Sequence, residues 1–431
     1  MNRPARLYSV PLLSLALIGA CVAATRSAGR EAAPRCAVRE VSRTPLAIED
    51  GRLLYVEPAA FSVSRGEVLL AGTPNFLARL DRGGRVTGMA SDSVLGAVVA
   101  RDGKGRAVPS PIDGRLVNGL RAAALEGGGW AVVFAEVRPY TGDSRPDTAV
   151  RLWHGVYDGR RWVRLEELPL PPHRTLHPHH SSQLVRRGDT LSWAMTMTAP
   201  VPGVLPGNGI VLYERRGGRW SYEAVPTFHS EAELARSDTL GLLLVVVQPD
   251  STARGGDGNS LFLWARRPAW RRLRRIVHGY AEGRVYDPSL TATNGEGVLS
   301  WRTPVGEGFR SRREVRAMVG RVEERNEPAI TIDSSVAFQR LAAPIRLPDG
   351  SPLWVTDHEV PDEPRREVRL TLGSARSATL LKSIPSPYIG WISATTPAPW
   401  ELLVTGFHYV PDRYAVSLLL RARVECRGTA R

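Results

Sequence analysis

The sequence predicts an all-β protein, and three observations favour a seven-bladed β-propeller. An aromatic hairpin recurs along the chain, apolar strands recur at intervals of roughly 50 to 60 residues, and turns rich in Gly, Pro, Asp and Asn separate them. The i, i+3, i+4 pattern of an amphipathic helix is almost absent. Repeated four-stranded units of this length are typical of a propeller, in which each sheet packs face to face against the next.

The hairpin is clearest in residues 152–165, where an alternating aromatic strand is followed by a polar turn and a second strand. Weaker copies begin at Leu212 and Leu261. The second strand of the three copies opens with Trp162, Trp220 and Trp270, respectively. Two such strands joined by a short turn predict an antiparallel hairpin in each copy.

A second repeat is an apolar strand at a fixed distance from a serine. Leu191 and Trp193 lie ten and twelve residues after Ser181, and Ser230 and Ser289 precede apolar residues by the same distances. Looser copies begin at residues 67, 130, 353 and 401, which gives seven units. A six-bladed propeller remains open if residues 89–120 are an insertion, and two stacked β-sandwich domains are the alternative fold.

The turns of the repeated hairpins resemble the Asp-box of sialidase-like propellers, Ser-x-Asp-x-Gly-x-x-Trp. Asp158, Gly159 and Trp162 match part of it, as do Gly217 and Trp220, whereas the third copy retains only its tryptophan. The resemblance implies a sialidase-like scaffold. The leading serine is missing, and so is the Phe/Tyr-Arg-Ile-Pro element that carries the first sialic-acid arginine in sialidases, so sialidase activity is not implied.

The amino-terminal residues predict export. Arg3 and Arg6 precede an apolar run, residues 7–18, that is too short to span a bilayer but suits a secretory signal. Residues 18–21 resemble a bacterial lipobox, which would make Cys21 the lipidated residue; cleavage after Ala24 is the alternative.

These features predict the domain organisation and the location. The expected organisation is a signal peptide with lipobox in 1–21, a flexible tether in 22–35 and one propeller domain in 36–431. A lipid anchor would hold the domain at the membrane, in the bacterial periplasm or at the cell surface.

The formal net charge is +14, and nearly all basic residues are arginines. This composition fits either the codon bias of a GC-rich genome or a surface that binds an anionic polymer. The densest run, residues 271–275, lies inside a predicted repeat strand and does not alternate with exposed aromatic residues. Nucleic acid is therefore not an expected partner.

Two cysteines remain beyond the signal region, Cys36 and Cys426, one at each end of the predicted domain. A propeller brings its chain termini together in the last blade, and an exported protein meets an oxidising environment. The sequence therefore predicts a disulfide between them. The absence of a CxxC motif excludes a thiolate zinc site of that type and a c-type haem.

The predicted ligand site follows from the serine repeat. His180 and His229 immediately precede two of the repeated serines, and Asp287 lies near the third. If the serines mark the starts of innermost strands, these side chains face one mouth of the central funnel, with Glu231 and Arg121 as neighbours. Two imidazoles and a carboxylate could hold a divalent metal or an anionic ligand. The alternative is that they only satisfy backbone groups at blade junctions.

The favoured function is a binding or scaffold module at the cell envelope, acting as a monomer on an anionic glycan or an envelope protein. The alternative is a sialidase-like propeller enzyme, a glycoside hydrolase or lyase, that acts on a glycan or other anionic polymer. Glu136, Asp357 and Glu359 are further candidate acid–base carboxylates, but their separations cannot be read from the sequence. A domain that has lost its ancestral chemistry is a third possibility.

Overall fold

A computed structural model of the chain describes most residues between 36 and 426. The described ranges are 36–45, 57–73, 76–81, 86–90, 116–137, 149–159, 161–172, 174–199, 207–228, 231–249, 259–277, 286–293, 296–305, 312–321, 329–335, 344–359, 366–385, 388–408 and 416–426. The signal peptide, the lipobox and the tether predicted for 1–35 lie outside the described residues.

The described strands form seven antiparallel sheets, which we number as blades in chain order. Blade one contains β2 (Glu57–Ser64), β3 (Glu67–Thr73), β4 (Phe76–Leu80) and β5 (Val86–Ala90). Blade two contains β6 (Leu116–Ala124), β7 (Trp130–Val137), β8 (Ala149–Tyr157) and β9 (Trp162–Leu168). Blade three contains β10 (Thr175–Ser181), β11 (Val185–Arg187), β12 (Thr190–Ala199), β13 (Gly207–Arg216) and β14 (Arg219–Phe228).

Blade four contains β15 (Glu231–Ser237), β16 (Gly241–Pro249), β17 (Asn259–Arg266) and β18 (Trp270–Val277). Blade five contains β19 (Tyr286–Thr293), β20 (Glu296–Val305), β21 (Arg312–Gly320) and β22 (Ile330–Ser335). Blade six contains β23 (Ile345–Arg346), β24 (Pro352–Glu359), β25 (Arg366–Gly373) and β26 (Ala378–Pro385). Blade seven contains β27 (Tyr388–Thr395), β28 (Glu401–His408), β29 (Val416–Cys426) and β1 (Cys36–Pro45).

Each blade is a four-stranded meander whose first strand is the innermost one; in blade three these four strands are β10, β12, β13 and β14, and β11 pairs with β12. The innermost strands contact one another from blade to blade, for example β27 with β2, β2 with β6 and β15 with β19. In blade six the first strand is short, and the second strand, β24, contacts β27. The fold is therefore a seven-bladed β-propeller, as predicted, and neither the six-bladed form nor two sandwiches is found. Among the described residues there is no helix.

The hydrophobic core is divided among the seven interfaces between blades. The described buried apolar residues form seven clusters, and each cluster takes its members from two adjacent blades. One cluster joins blade six to blade seven, and another joins blade seven to blade one. Each blade therefore packs both faces of its sheet against the two neighbouring blades.

The seven apolar strands of the sequence repeat are the second strands of the seven blades. In β7, for example, every residue is buried. A second strand lies between two others within its sheet and packs against both neighbouring blades, so a continuous apolar run is expected there rather than strict alternation.

The repeated tryptophan hairpins are the third and fourth strands of blades two, three and four. Arg215 pairs with Trp220 across one hairpin, and Arg266 pairs with Trp270 across the next, so the two copies share one register. In blade two the Asp158 carboxylate closes the turn by accepting a hydrogen bond from the Arg161 amide at 2.8 Å. The part of the chain that resembles an Asp-box therefore forms a structural turn.

These hairpins also join neighbouring blades. The Trp220 indole donates to Glu166 on the outer strand of blade two at 3.1 Å, and the Trp270 indole donates to Glu223 on the outer strand of blade three at 2.8 Å. Arg266 also pairs with Glu223, at 3.1 Å. A carboxylate on the outer strand of one blade thus receives donors from the hairpin of the next.

The ring is closed in blade seven, where the first and last strands of the described chain pair. Cys36 lies directly opposite Cys426 in the register of β1 and β29, and the two residues form a disulfide with a Cα–Cα distance of 3.8 Å. The predicted disulfide is confirmed.

Candidate functional site

The two ends of the propeller differ in the length of chain that they carry. We define the start face as the end at which the first strand of each blade begins, and the turn face as the opposite end. First and second strands join at the turn face through two to five residues in six blades, and through residues 182–189, which include β11, in blade three. Several start-face connections are longer, including residues 91–115, 138–148, 200–206 and 250–258. Function in β-rich folds is concentrated in such loops, because a rigid scaffold positions them.

Arg121 lies on the innermost strand of blade two and reaches the innermost strand of blade three. Its guanidinium donates to the carbonyl oxygens of Leu120 and Ser181, each at 2.9 Å. Burial lowers the pKa of Arg121, and the negative charge of Glu233 on blade four partly offsets this. Glu233 in turn accepts a hydrogen bond from the Gln183 amide at 3.3 Å. Polar groups thus connect the innermost strands of three consecutive blades.

The other predicted ligand residues are placed only by their backbone. His180 lies in β10, Glu231 is the first residue of β15, and Asp287 is the second residue of β19, so all three belong to innermost strands. Their side chains are not described, and His229 lies outside the described residues. Convergence on a metal or anionic ligand stays a prediction. Within the described ranges, no group of three His, Cys, Asp or Glu residues is arranged to hold a metal ion.

The serine repeat from which this site was predicted does not mark strand starts. Ser181 is the last residue of β10, and Ser289 is the fourth residue of β19; Ser230 lies outside the described residues. Ser181 pairs with Met195 and Ser289 pairs with Ser300, because the turn to the second strand lies at residues 188–189 in blade three and at residues 294–295 in blade five. Equal spacing in sequence therefore did not produce equal positions in the sheet.

A buried polar cluster that the sequence did not reveal lies between blades five and six. Asp333 on β22 accepts hydrogen bonds from the Thr356 hydroxyl at 2.7 Å and from His358 Nδ1 at 3.1 Å. Arg369 donates to the same carboxylate at 3.1 Å. Burial alone would raise the pKa of Asp333, but the hydrogen bonds from His358 and Thr356 and the charge of Arg369 lower it below its ordinary value.

Further charged groups surround this cluster at the start-face end of β24 and β25. Arg366 Nη2 lies 3.3 Å from Asp357, whose side chain is fully buried. Glu367 lies 3.6 Å from Arg369 and accepts a hydrogen bond from the Ser383 hydroxyl. Asp357 was a candidate carboxylate from the sequence, and it is held by an arginine in a buried position.

The geometry of His358 suits proton transfer. The Asp333 carboxylate fixes the ring through Nδ1, which favours the tautomer with its proton on that nitrogen and leaves Nε2 as a base. The ring is buried, with 4% of the side chain exposed. A local sequence signal was lacking, because Asp333 and His358 belong to different blades.

Glu136, another candidate from the sequence, lies at the start-face end of the second strand of blade two and is fully buried. Glu359 is the last residue of β24 and pairs with Arg366 in the sheet register. The structure thus places all three carboxylates at the same end of the propeller, Glu136 on blade two and Asp357 and Glu359 two residues apart on β24 of blade six.

The described residues contain no helix with the length and hydropathy of a membrane span.

Comparison with solved structures identifies similar folds at low sequence identity. The chain superposes on the polysaccharide lyase Uly1 with a TM-score of 0.52 and 10% identity, covering 93% of this chain and 95% of the lyase. A protein of unknown function from Dyadobacter fermentans gives a TM-score of 0.46 and 13% identity, covering 75% of this chain and 96% of that protein. Trypanosoma rangeli sialidase in complex with sialic acid gives 0.44 and 10%, covering 84% of this chain and 60% of the sialidase.

No protein-family model matches the sequence, and no curated protein matches it significantly. The similarity to the polysaccharide lyase extends over nearly the whole of both chains, and at this level of identity it shows a shared propeller fold.

Proposed function

We propose that this chain is a binding module that holds an acidic polysaccharide across the start face of the propeller. The proposal rests on the difference in length between the connections at the two ends of the propeller. The first-to-second connections span two to five residues in six blades and 182–189 in blade three, whereas the start face carries the connections 91–115, 138–148 and 250–258. Binding residues in β-rich folds are concentrated in the longer connections of a rigid scaffold, so we expect the polymer at the start face.

The charge of the molecule supports an acidic ligand. The formal net charge is +14. Arginines occur on strands of several blades at or near the start-face ends: Arg151 in blade two, Arg313 in blade five and Arg366 in blade six. A guanidinium binds a carboxylate or sulfate group through two parallel hydrogen bonds, so it recognises such groups with defined geometry.

Loop replacement tests which face binds the polymer. We expect replacement of residues 138–148 by a short Gly-Asn turn to weaken binding to acidic polysaccharides at least tenfold, measured by a glycan array followed by calorimetry. The matched control is the same replacement of residues 321–329, a long connection at the turn face. Binding that survives start-face replacements and is lost in the turn-face variant would contradict the proposal, as would equal retention of neutral and acidic polymers.

The His180, His229 and Asp287 group belongs to the same proposal as a set of ligand contacts. Replacing His180 and His229 together by alanine should weaken binding of the polymer, or of a divalent metal, without lowering the thermal midpoint. Metal content of the purified protein measured by mass spectrometry separates the two cases. A large fall in the midpoint with binding intact would instead assign these residues a structural role.

A catalytic role is the second candidate, and His358 favours it. The pair of His358 and Asp333 provides an oriented base beside Arg369, a side chain that could neutralise a carboxylate on the substrate. The similarity to a polysaccharide lyase is consistent with such chemistry. If the site is catalytic, His358→Asn should abolish cleavage of an acidic polysaccharide and leave its binding intact. If wild-type protein binds the polymer without shortening it, the chain is a binding module alone.

We also propose that the protein is exported and anchored to a bacterial membrane through a lipid on Cys21. The disulfide that joins Cys36 to Cys426 supports an oxidising compartment. Mass spectrometry of the mature protein from membrane fractions should find a lipidated Cys21 at the amino terminus. An unmodified amino terminus beyond that residue would contradict the anchor.

A further inference from the structure

Arg236 is a partly buried cation between blades three and four, close to the turn face. It lies on β15, opposite Leu242 in the sheet register, and Leu242 lies opposite Arg266 on the next strand. Residues directly opposite one another share one side of a sheet, so Arg236 and Arg266 both face blade three. The Nε and Nη1 atoms of Arg236 are buried and have no hydrogen-bond acceptor within the described ranges.

Glu214 on blade three is the carboxylate that acts on Arg236, and its oxygens are already occupied. Ser192 donates to Oε1 at 3.2 Å, and Arg216 donates to Oε1 at 3.2 Å and to Oε2 at 2.9 Å. Arg266 from blade four contacts Oε2 as well. With four donor contacts already made to Glu214, that carboxylate leaves the guanidinium of Arg236 without an ion pair among the described residues.

The surroundings of Arg236 are rich in positive charge. Burial lowers the pKa of Arg236, and the charges of Arg187, Arg216 and Arg266 lower it further, whereas Glu214 raises it. Arg187 has a partner of its own, Asp238 at 3.5 Å, but both side chains are more than half exposed and the pair is correspondingly weak. A buried donor without an acceptor is unfavourable, and like charges beside it add to the cost.

We call the space among Arg236, Arg187 and Arg216 the crevice; two of these side chains reach solvent at the turn face. The side chains of Arg187 and Arg216 are 54% and 61% exposed. The adjacent turns contain Gly188 and Gly217, and a Cβ atom on either would meet no atom within 4 Å. Both glycines have positive φ angles of 54°, so these tight turns suit glycine and leave no side chain over the entrance.

We propose that this crevice is an anion site in which Arg236, Arg187 and Arg216 bind one oxyanion group, a sulfate, phosphate or carboxylate. The guanidinium forks of three arginines match the oxygens of such a group, and the anion would supply the acceptors that Glu214 cannot. The group could be a free inorganic anion or an acidic substituent of a polysaccharide. The site lies on the opposite face from the proposed polymer surface and stands independently of it.

The test is the thermal midpoint as a function of sulfate concentration, with ionic strength held constant by sodium chloride. A ligand that binds only the folded state raises the midpoint with saturable dependence on its concentration. Sulfate also stabilises proteins generally by exclusion from their surfaces, but that effect does not saturate. We expect a saturable rise at millimolar sulfate for the wild type and its loss in Arg236→Met.

The matched control is Arg421→Met, because Arg421 is a half-buried arginine that already pairs with Glu401 in blade seven, at 3.1 Å. It should keep the saturable response. Arg187 is exposed, so Arg187→Gln should not disturb folding. We expect this variant to weaken the sulfate affinity at least tenfold. If the wild type, Arg236→Met and Arg187→Gln respond alike to sulfate, the crevice is not an anion site.

Polysaccharide probes identify the source of the anion. Sulfated, carboxylated and neutral chains of equal length are added to wild type and Arg236→Met at fixed ionic strength. If the acidic polysaccharides raise the thermal midpoint of the wild type more than that of Arg236→Met, the anion is a substituent of a polymer. If only inorganic sulfate does so, the site binds a free anion. Loss of the sulfate response in Arg236→Met alongside unchanged start-face binding would separate this site from the proposed polymer surface.

Discussion

His154 is buried between the second and third blades, and its protonation should govern stability in mild acid. Its Nδ1 lies 2.8 Å from Glu166, and its ring packs edge-on against Trp220. Burial lowers the pKa of His154 to about 4, despite the attraction of Glu166, and the charges of Arg215 and Arg164 act in the same direction as burial. The folded state thus binds this proton less readily than the unfolded chain, in which histidine titrates near pH 6.5.

The unfolding free energy should therefore fall as the pH drops from about 6.5 to about 4, by at most about 3 kcal/mol. Below that window histidine is protonated in both states, and further loss comes from Glu166, whose pKa is also lowered. Urea unfolding at a series of pH values measures the slope. In His154→Asn the slope between pH 6.5 and 4 should become shallower; an unchanged slope would exclude His154 as its source.

The hydrogen bond from the Trp220 indole to Glu166 should contribute to stability beyond the packing of the ring. Trp220→Phe removes this donor, which we expect to cost about 1.5–3 kcal/mol in addition to lost packing, because the acceptor is charged. Trp162→Phe is the matched control, since the buried Nε1 of Trp162 has no acceptor among the described residues. Equal losses in the two variants, measured by chemical denaturation, would show that only packing matters.

At the scale of single elements, the hairpin of blade two depends on a glycine. A Cβ atom added to Gly155 on β8 would lie 2.1 Å from the ring of Trp162, which covers that glycine from the neighbouring strand. The tryptophan cannot keep its position against such a contact. The opening residue of the hairpin's second strand is thus packed directly on the backbone of the first.

Gly155→Ala should accordingly destabilise the protein by about 1–3 kcal/mol and change the fluorescence of Trp162. Gly127→Ala is the control, because Gly127 lies in a turn of the same blade and a Cβ atom there meets nothing within 4 Å. We expect that variant to stay within about 0.5 kcal/mol of the wild type. A neutral Gly155→Ala would mean that the hairpin repacks without cost.

The strands that could be predicted are those marked by a pattern of residues that are close together in sequence. The two strands of a hairpin are adjacent in sequence, so the tryptophans predicted the third and fourth strands of three blades. The apolar runs predicted the second strand of each blade. Contacts between blades carry no such signal. Asp333 and His358 are 25 residues apart on different sheets, and only the packing of blade five on blade six joins them.

Sequence spacing failed for the ligand site for a different reason. The turn after the serine lies at residues 188–189 in blade three and at residues 294–295 in blade five, so serines that were aligned in sequence lie at different heights along their blades. The distance from a serine to the apolar strand does not reveal where the turn between them falls. Arg121 contacts the Ser181 carbonyl on the neighbouring blade, and its predicted place beside the two histidines and Asp287 stays a prediction.

At the scale of the whole molecule, stability depends on closing the ring. Seven blades share seven interfaces, and the interfaces on either side of blade seven depend on strands from both ends of the chain. β1 contributes Val38 to the core shared with blade six. Loss of β1 would thus expose the edge of β29 and weaken a core interface together, although the other blades would keep their own pairings.

The disulfide between Cys36 and Cys426 should stabilise this closure more than any single contact. It joins residues 390 apart in sequence, and loop-closure theory assigns such a crosslink on the order of 5 kcal/mol as an upper figure. In Cys36→Ser/Cys426→Ser we expect a lower thermal midpoint and the largest loss of amide hydrogen-exchange protection in β1 and β29. The strands of blade four, far along the ring from the closure, should retain most of their protection under native conditions, because local opening precedes global unfolding. Uniform loss of protection in all blades would mean that the ring opens only as one cooperative unit, and an unchanged midpoint would mean that the strand pairing alone closes it.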